Sequence, residues 1–176
     1  MDWQFRHFDA LDTTTLFALM KLRVDVFVVE QDCAYAELDA HDTAAGTLHL
    51  LGQRDGTLVA YARAMPGLEP VQAVNDYLAV TTTLSPMASM VRIGRVVVAP
   101  TFRGQALGQQ LMRHMITHLD REFPAQVQFL ASQIAAQALY ESQGFIPVSD
   151  TYLEDGIAHI DMLRLPPSTN PIEQPE

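Results

Sequence analysis

The sequence predicts a single α/β domain, a mixed sheet of about six to seven strands flanked by about four helices. Three observations carry that reading. Short alternating or wholly apolar runs of strand length recur along the chain, and stretches with apolar residues at three- and four-residue spacing lie between them. Their order is strand, helix, acidic linker, two strands, long connection, strand, helix, strand, helix, two strands. The chain of 176 residues is 48% hydrophobic, enough for one full core.

Trp3-Gln4-Phe5-Arg6-His7-Phe8 alternates like a strand with one buried face. Asp12 and the three threonines after it are helix-cap candidates, and Leu16, Leu19, Met20, Arg23, Val24 and Phe27 follow at helical spacing. Residues 30–42 are polar and hold Glu30, Asp32, Glu37, Asp39 and Asp42. A hairpin pattern comes next, with apolar runs at 48–51 and 58–63 around the turn pair Asp55-Gly56. Residues 65–90 are rich in Pro, Thr, Ala and Met without a strand pattern and read as a long connection, with a helical turn allowed near Val71 to Leu78. That connection is a candidate cover for the acceptor pocket or for a second copy in a homodimer. Val91 to Val98 is a strand, and the helix ending near Leu119 buries Leu107, Leu111 and Met115, flanked by Met112, Ile116 and Leu119. Val127 to Leu130 is a short strand, and a helix from Ile134 to Gln143 ends at Gly144 in the position of a left-handed cap. Runs at 145–148 and 159–163 form a closing strand pair around Asp155-Gly156. The domain thus spans residues 1–165, and 166–176, with four prolines, reads as a disordered tail.

Composition narrows the functional classes. A net charge of −10 argues against a sequence-independent nucleic-acid binder, whose affinity comes from Lys and Arg on phosphates. It is compatible with a cationic or amine-bearing partner and with simple solubility. No apolar run is long enough to cross a bilayer, so no membrane partner is expected, and Met1-Asp2-Trp3-Gln4 is not a secretory signal. Cys33 stands alone, which excludes an internal disulfide and suits a reducing cytoplasm. No metal site is expected.

The residues Arg103-Gly104-Gln105-Ala106-Leu107-Gly108 join a strand to a helix. Such a loop presents unpaired N–H groups and the positive end of the helix dipole, which together bind phosphate. Gly104 and Gly108 let the backbone approach an anion. An ordinary strand-to-helix turn has the same pattern.

Two segments resemble the signatures of the GNAT superfamily of N-acetyltransferases. Val96-Val97-Val98-Ala99-Pro100-Thr101-Phe102-Arg103-Gly104-Gln105-Ala106-Leu107-Gly108 is similar to its acyl-CoA pyrophosphate motif. Ala138-Leu139-Tyr140-Glu141-Ser142-Gln143-Gly144-Phe145 is similar to its helix bearing Tyr and ending in Gly-Phe. Leu22 to Gln31, Glu37-Leu38-Asp39 with Asp42, Ile93-Gly94-Arg95-Val96, and Glu154 to Ile160 resemble the ElaA-like branch. The resemblance covers nearly the whole chain outside the 65–90 connection and the tail. One departure is Ala106, where the superfamily usually has Gly; alanine is tolerable there only at negative φ or inside the helix.

The resemblance implies a GNAT-like sheet, acetyl-CoA as cosubstrate, and direct attack on its thioester by an amine of a small molecule or protein. Backbone N–H groups of Gly104, Gln105, Ala106, Leu107, Gly108 and Gln109 would hold the pyrophosphate, with Arg103 as an additional charge. Val96 and Val98 would pair with the pantetheine arm as an added strand. Tyr140 would act as general acid toward the departing thiolate. For the general base two residues are candidates, Glu30 at the end of the first helix region and His159 in the closing hairpin, and water relays to a distant carboxylate fit equally. His49 reads as a satisfied core imidazole. The acidic residues between Glu30 and Asp42 either attract a protonated amine or form a solvated loop, and Arg23 and Arg95 are candidate buried partners for them. Cys33 lacks a Cys–His–Asn framework and reads as a small buried thiol. Two other readings stay open: a non-catalytic acyl-CoA-binding module, and a longer-chain acyltransferase, since acyl-homoserine-lactone synthases share a similar Arg-x-x-Val-Phe stretch.

Overall fold

Eight strands and four helices make up the computed structural model, which describes residues 1–33, 35–81 and 89–167. The strands are β1 (Asp2–Arg6), β2 (Leu48–Arg54), β3 (Thr57–Leu68), β4 (Met90–Val98), β5 (Val127–Gln133), β6 (Ile146–Pro147), β7 (Tyr152–Glu154) and β8 (Ile157–Arg164). The helices are α1 (Thr13–Arg23), α2 (Gln72–Thr81), α3 (Leu107–Glu122) and α4 (Gln137–Glu141). Sheet order is β1-β2-β3-β4-β5-β8-β6, with β7 also on β8, and every pairing is antiparallel except β4 with β5.

Alternation along the strands divides the core into two faces. Ala60, Ala62, Val91 and Ile93 point to one face and pack with Leu111, Met112, Met115, Ile116 and Leu119 of α3. The small alanines let that helix sit close. Tyr61, of opposite parity, and Val97, moved to that face by the register shift between Gly94 and Val97, pack with Leu19, Leu22 and Val26 of α1 and its continuation. Met90, Val127, Phe129 and Leu163 bury Val74 and Leu78 of α2 on that same face. No helix among the described residues is long and apolar enough to cross a membrane.

Local chemistry sets the boundaries. Asp12 caps α1: its Oδ1 accepts the Thr15 N–H at 2.9 Å. Beyond Arg23 the helix widens into a π-helical stretch, Val24–Glu30. The β2–β3 turn is Asp55-Gly56, both at positive φ as a two-residue hairpin requires. Four features differ from the sequence reading. The closing pair is three strands, which brings the sheet to eight rather than six to seven: Asp155-Gly156 turns β7 into β8, and residues 145–148 supply only the two-residue β6. Strand β3 continues past Arg63 to Leu68, because a bulge between Met65 and Leu68 absorbs Pro66 and Gly67 while Met65 pairs with Arg92 and Leu68 with Met90. The 65–90 connection therefore begins as strand, contains the full helix α2, and ends in β4; residues 82–88 lie outside the described residues, as do 168–176 of the tail. The segment 134–143 is a 3₁₀ turn, Ile134–Ala136, followed by the short α4.

Within the acidic stretch Asp32 is exposed, but Glu37, Asp39 and Asp42 are neither solvated nor free. Arg23, wholly buried, donates from Nε to Glu37 Oε1 (2.6 Å) and from Nη1 to Asp42 Oδ1 (2.7 Å). Its Nη2 donates to the Glu37 carbonyl at 2.6 Å. Arg63 donates to Asp42 Oδ1 at 2.6 Å and to both oxygens of Asp39 at 2.7 and 2.9 Å. Arg95 completes the group, with Nε 2.8 Å from Glu37 Oε2. Three guanidiniums thus face three carboxylates, and the cluster ties the end of α1, the 37–42 segment, β3 and β4 together. His49 lies beneath it: its Nε2–H donates to the Asp42 carbonyl (3.0 Å) and its Nδ1 accepts from Tyr61 Oη (2.8 Å), which makes it the satisfied core imidazole expected. Burial holds its pKa below the ordinary value.

The loop between β4 and α3 carries a conformational cost. Ala106, the residue before α3, has φ +56° and ψ 18°, so the alanine at the usual glycine position is left-handed rather than helical or extended. This corrects the requirement for negative φ; the loop keeps its turn at the expense of Cβ strain of about 1 kcal/mol.

Two outcomes are expected. Burial alone would raise the Asp42 carboxyl, but hydrogen bonds and charge from Arg23 and Arg63 outweigh it and hold Asp42 at about 2, against 3.8 ordinarily. Its stabilisation is therefore complete above the unfolded value and is lost as pH falls through about 2, amounting to about 2 kcal/mol. Urea unfolding between pH 5 and 2 will show a steeper loss for wild type than for Asp42→Asn, which is also weaker at neutral pH; parallel profiles contradict the assignment. Ala106→Gly will raise unfolding free energy by about 1 kcal/mol, because glycine relieves the left-handed strain. A decrease in that measurement would show that Ala106 is not left-handed in solution.

Candidate active site

Strands β4 and β5 run side by side for three residue pairs, Met90 with Val127, Val91 with Gln128, and Arg92 with Phe129. Beyond them the two part. Strand β4 stays with β3 through Val98, whereas β5 stays with β8 through Gln133. A bulge drives the separation: three steps of β4 from Gly94 to Val97 oppose two of β3 from Arg63 to Tyr61, and Arg95 lies within it at φ +55°. The result is a wedge in the sheet with an open backbone edge, continuous with a cleft of about 650 Å³ that Val96, Val98, Leu130 and Tyr140 line. That volume suits a small-molecule or cofactor site.

One end of the wedge leads to the loop before α3. Gly104 has φ +74°, and no atom lies within 4 Å of where its Cβ would be. The first helical bond is Gln110 N–H to the Ala106 carbonyl, so the amides of Leu107, Gly108 and Gln109 have no intrahelical acceptor. The smallness of Gly108 serves helix packing as well, because Leu139 of α4 sits 3.4 Å from its Cβ position. Gln105 receives Arg54 Nη1 at 2.8 Å, and the Arg54 guanidinium lies 5.3 Å from the centre of the Phe102 ring. Sequence reasoning missed Arg54, which lies 51 residues from Gln105 and has no local signal.

Arg103 and Glu30 are bound to each other. Arg103 donates to both Glu30 oxygens at 2.6 and 2.9 Å and to the Val98 carbonyl at 3.2 Å. Its charge is thus already matched, and it fastens the loop to the end of the π-helical stretch. Hydrogen bonding to Arg103 holds the Glu30 carboxyl below its ordinary range, and Glu30 is not among the residues lining the cleft. An ion-paired carboxylate outside the cleft is poorly suited to take a proton there.

Tyr140 and His159 do reach the cleft, from opposite faces of the sheet. Gly144, at φ +86°, reverses the chain after α4, and the Phe145 N–H returns to the Tyr140 carbonyl at 3.1 Å. Phe145 then packs edge-on against the Tyr140 ring with 6.2 Å between centroids. This explains the Gly-Phe pair physically: it locks the tyrosine ring. Tyr140 is 7% exposed, its hydroxyl has no hydrogen bond among the described residues, and burial pushes it up to about 12. The phenol is therefore protonated at neutral pH. His159 lies 2.9 Å through Nδ1 from the Ile157 carbonyl, which only accepts. That bond puts the proton on Nδ1 and leaves the Nε2 lone pair free in neutral imidazole. Tyr152 stacks on the ring at 6.2 Å and donates to Asp161 at 2.7 Å. Cys33 also lines the cleft, but burial raises its thiol, so it is not an activated nucleophile.

Among the described residues no group of three or more His, Cys, Asp or Glu side chains is arranged to hold a metal ion. An acyl-CoA fits the geometry in two respects, a free strand edge to pair with an extended amide-bearing arm and free loop amides to receive phosphate.

Comparison with known proteins agrees with this geometry. A family profile described as an acetyltransferase (GNAT) domain matches residues 73–165. Protein ElaA of Escherichia coli strain K12 is 38% identical over 167 residues, covering 93% of this chain and 96% of that protein. The crystal structure of Escherichia coli ElaA superposes with a TM-score of 0.77 over 93% of this chain and 98% of that one. An acyl-CoA N-acyltransferase from Pseudomonas aeruginosa is 39% identical, with a TM-score of 0.75, over 93% of this chain and 98% of its own. A CoA-dependent acyl-homoserine lactone synthase, 21% identical with a TM-score of 0.67 over 90% and 80% of the two chains, shares the fold. By its wedge-shaped sheet, its loop and these relatives, the chain belongs to the acetyltransferase (GNAT) family, whose cosubstrate is an acyl-CoA, and within it to the ElaA-like branch.

Proposed function

We propose that the protein is an acetyl-CoA-dependent N-acetyltransferase that transfers the acetyl group directly to an amine. The observation that carries this reading is the parting of β4 from β5, which opens a strand edge beside a buried, protonated phenol. When bound, the thioester supplies the electrophile: a carbon–nitrogen bond forms, the carbon–sulfur bond breaks, the amine loses a proton and the sulfur gains one.

Specific groups serve each of these events. The open edge at Val96 and Val98 pairs with the pantetheine arm, and the amides of Gly104, Gln105, Ala106, Leu107, Gly108 and Gln109 receive the pyrophosphate. Arg103 acts through its ion pair with Glu30 by holding the loop in place. A β4 N–H facing the thioester oxygen stabilises the charge that develops there. Tyr140 protonates the departing sulfur. His159 takes the amine proton at Nε2, because its Nδ1–H is already committed to Ile157. Glu30 is the weaker candidate base, since its ion pair with Arg103 lowers its affinity for a proton.

Calorimetry with acetyl-CoA and CoA tests the cofactor claim, with saturable binding expected and no binding overturning it. Tyr140→Phe separates catalysis from packing. Its hydroxyl has no hydrogen bond to lose, so Tm and acetyl-CoA affinity will stay near wild type while turnover falls by about 10²-fold or more. Unchanged turnover at saturating acetyl-CoA removes Tyr140 as the acid. A series of acyl donors of increasing length will show acetyl preferred, and tight binding without CoA release over a broad amine panel would favour a binding module instead.

A further inference from the structure

We propose, building on the acyltransfer reading, that the acceptor is a small primary amine bearing a carboxylate, and that Arg92 receives that carboxylate. The protein has a net charge of −10 and 11 Lys and Arg residues, yet Arg63, Arg92, Arg95 and Arg103 line one cleft. Three of them are matched: Arg63 by Asp39 and Asp42, Arg95 by Glu37 and Asp39, Arg103 by Glu30. Arg92 makes no ion pair among the described residues. It projects from β4 at the last pair before the strands part, on the face opposite α3, where it is exposed and lines the cleft. Its guanidinium lies 6.0 Å from the centre of the Phe129 ring, a cation–π contact that orients the planar fork without consuming its donors.

A second unmatched donor stands beside it. Met65 of β3 pairs with Arg92, which makes Arg63 a diagonal neighbour on the same face. Arg63 is 3% exposed; its Nη atoms are held by Asp39 and Asp42, and its Nε–H is buried with no acceptor. A buried donor left without an acceptor is costly, and an incoming oxygen removes that cost. A carboxylate offers two acceptor oxygens and the charge that a guanidinium fork matches bidentately.

The amine end has its own complement. Glu154 and Asp155, at the β7–β8 turn, line the same cleft and make no ion pair among the described residues. They suit an arriving ammonium, and His159 Nε2 on the neighbouring strand takes the proton that must leave before attack. The amine nitrogen then bonds to the acyl carbon as the carbon–sulfur bond breaks; Tyr140 protonates the sulfur, the second proton shed by that nitrogen restores the Tyr140 phenol, His159 passes its proton to solvent, and the carboxylate is unchanged throughout. A polyamine of similar length would set a cation against Arg92, so the same residue that admits an amino-carboxylate disfavours a diamine.

The test is thiol release from acetyl-CoA with matched acceptors: lysine, lysinamide and cadaverine, then phenylalanine, phenylalaninamide and phenethylamine. Wild type is expected to show kcat/KM for the acids at least about tenfold above their amides and decarboxylated amines. Arg92→Gln will lower kcat/KM for the acids by a similar factor, chiefly through KM, and compress the preference; Arg92→Lys will restore part of it. The inference is overturned if amides or plain amines are used as well as acids, or if Arg92→Gln lowers all acceptors equally. Acetyl-CoA binding with no turnover on any acceptor also overturns it and leaves the cofactor reading standing. Failure to bind acetyl-CoA removes the acyltransfer reading itself.

Discussion

From Gly94 to Val98, strand β4 has a hydrogen-bonding neighbour on one side only. Strand β5 cannot follow it, because β5 is paired with β8 along Gln128 to Gln133 and diverges with that partner. An edge of unpaired N–H and C=O groups inside a sheet is costly unless something pairs with it. Here the same feature opens the cleft, exposes the donors that an extended ligand needs, and lets groups on the two faces of the sheet meet. Tyr140 comes from the side of α3 and α4, His159 from the side of α1 and α2.

The wedge is held open from one wall by buried charge. Arg95 sits in the bulge at positive φ, a strained conformation for a residue with a side chain, and its guanidinium is anchored to Glu37. Glu37 is anchored in turn by Arg23, which is fully buried and permanently charged. Removing one member of such a cluster leaves its partner buried and unpaired, so loss of activity in a variant at Arg23, Glu37 or Asp42 reports on architecture before chemistry. Strain at Ala106 belongs to the same pattern: the β4–α3 loop keeps a left-handed turn with an alanine because Arg103, clamped to Glu30 and Val98, fixes the chain just before it.

Much of this is legible in the sequence. Periodicity places the strands and the long helix α3; Asp12, Asp55-Gly56 and Gly144 mark a cap, a hairpin and a chain reversal. The residues Val96, Val98, Arg103, Tyr140 and His159, scattered over more than sixty positions, do line one cleft. What stays hidden depends on tertiary pairing. Glu30 reads in sequence as an available carboxylate, and only the fold brings Arg103, 73 residues away, to hold it. Pro66 and Gly67 disguise the end of β3, since a bulge that accommodates them has no periodic signature. Nothing in the strand pattern singles out Arg92; only the parting of the sheet beside it places it at a cavity.

In the proposed reaction the chemistry divides along the wedge, with phosphate and thioester groups on the α3 side and the acceptor on the α1 and α2 side. The central claim is that the open edge of β4 and the loop that follows it form one continuous CoA site. An amide NMR titration with CoA tests it most directly. The account predicts shifts concentrated at residues 94–98 and 104–109, with β1 and the outer face of β2 undisturbed. Perturbations confined to surfaces away from β4 and its loop, or none at saturating CoA, would contradict it.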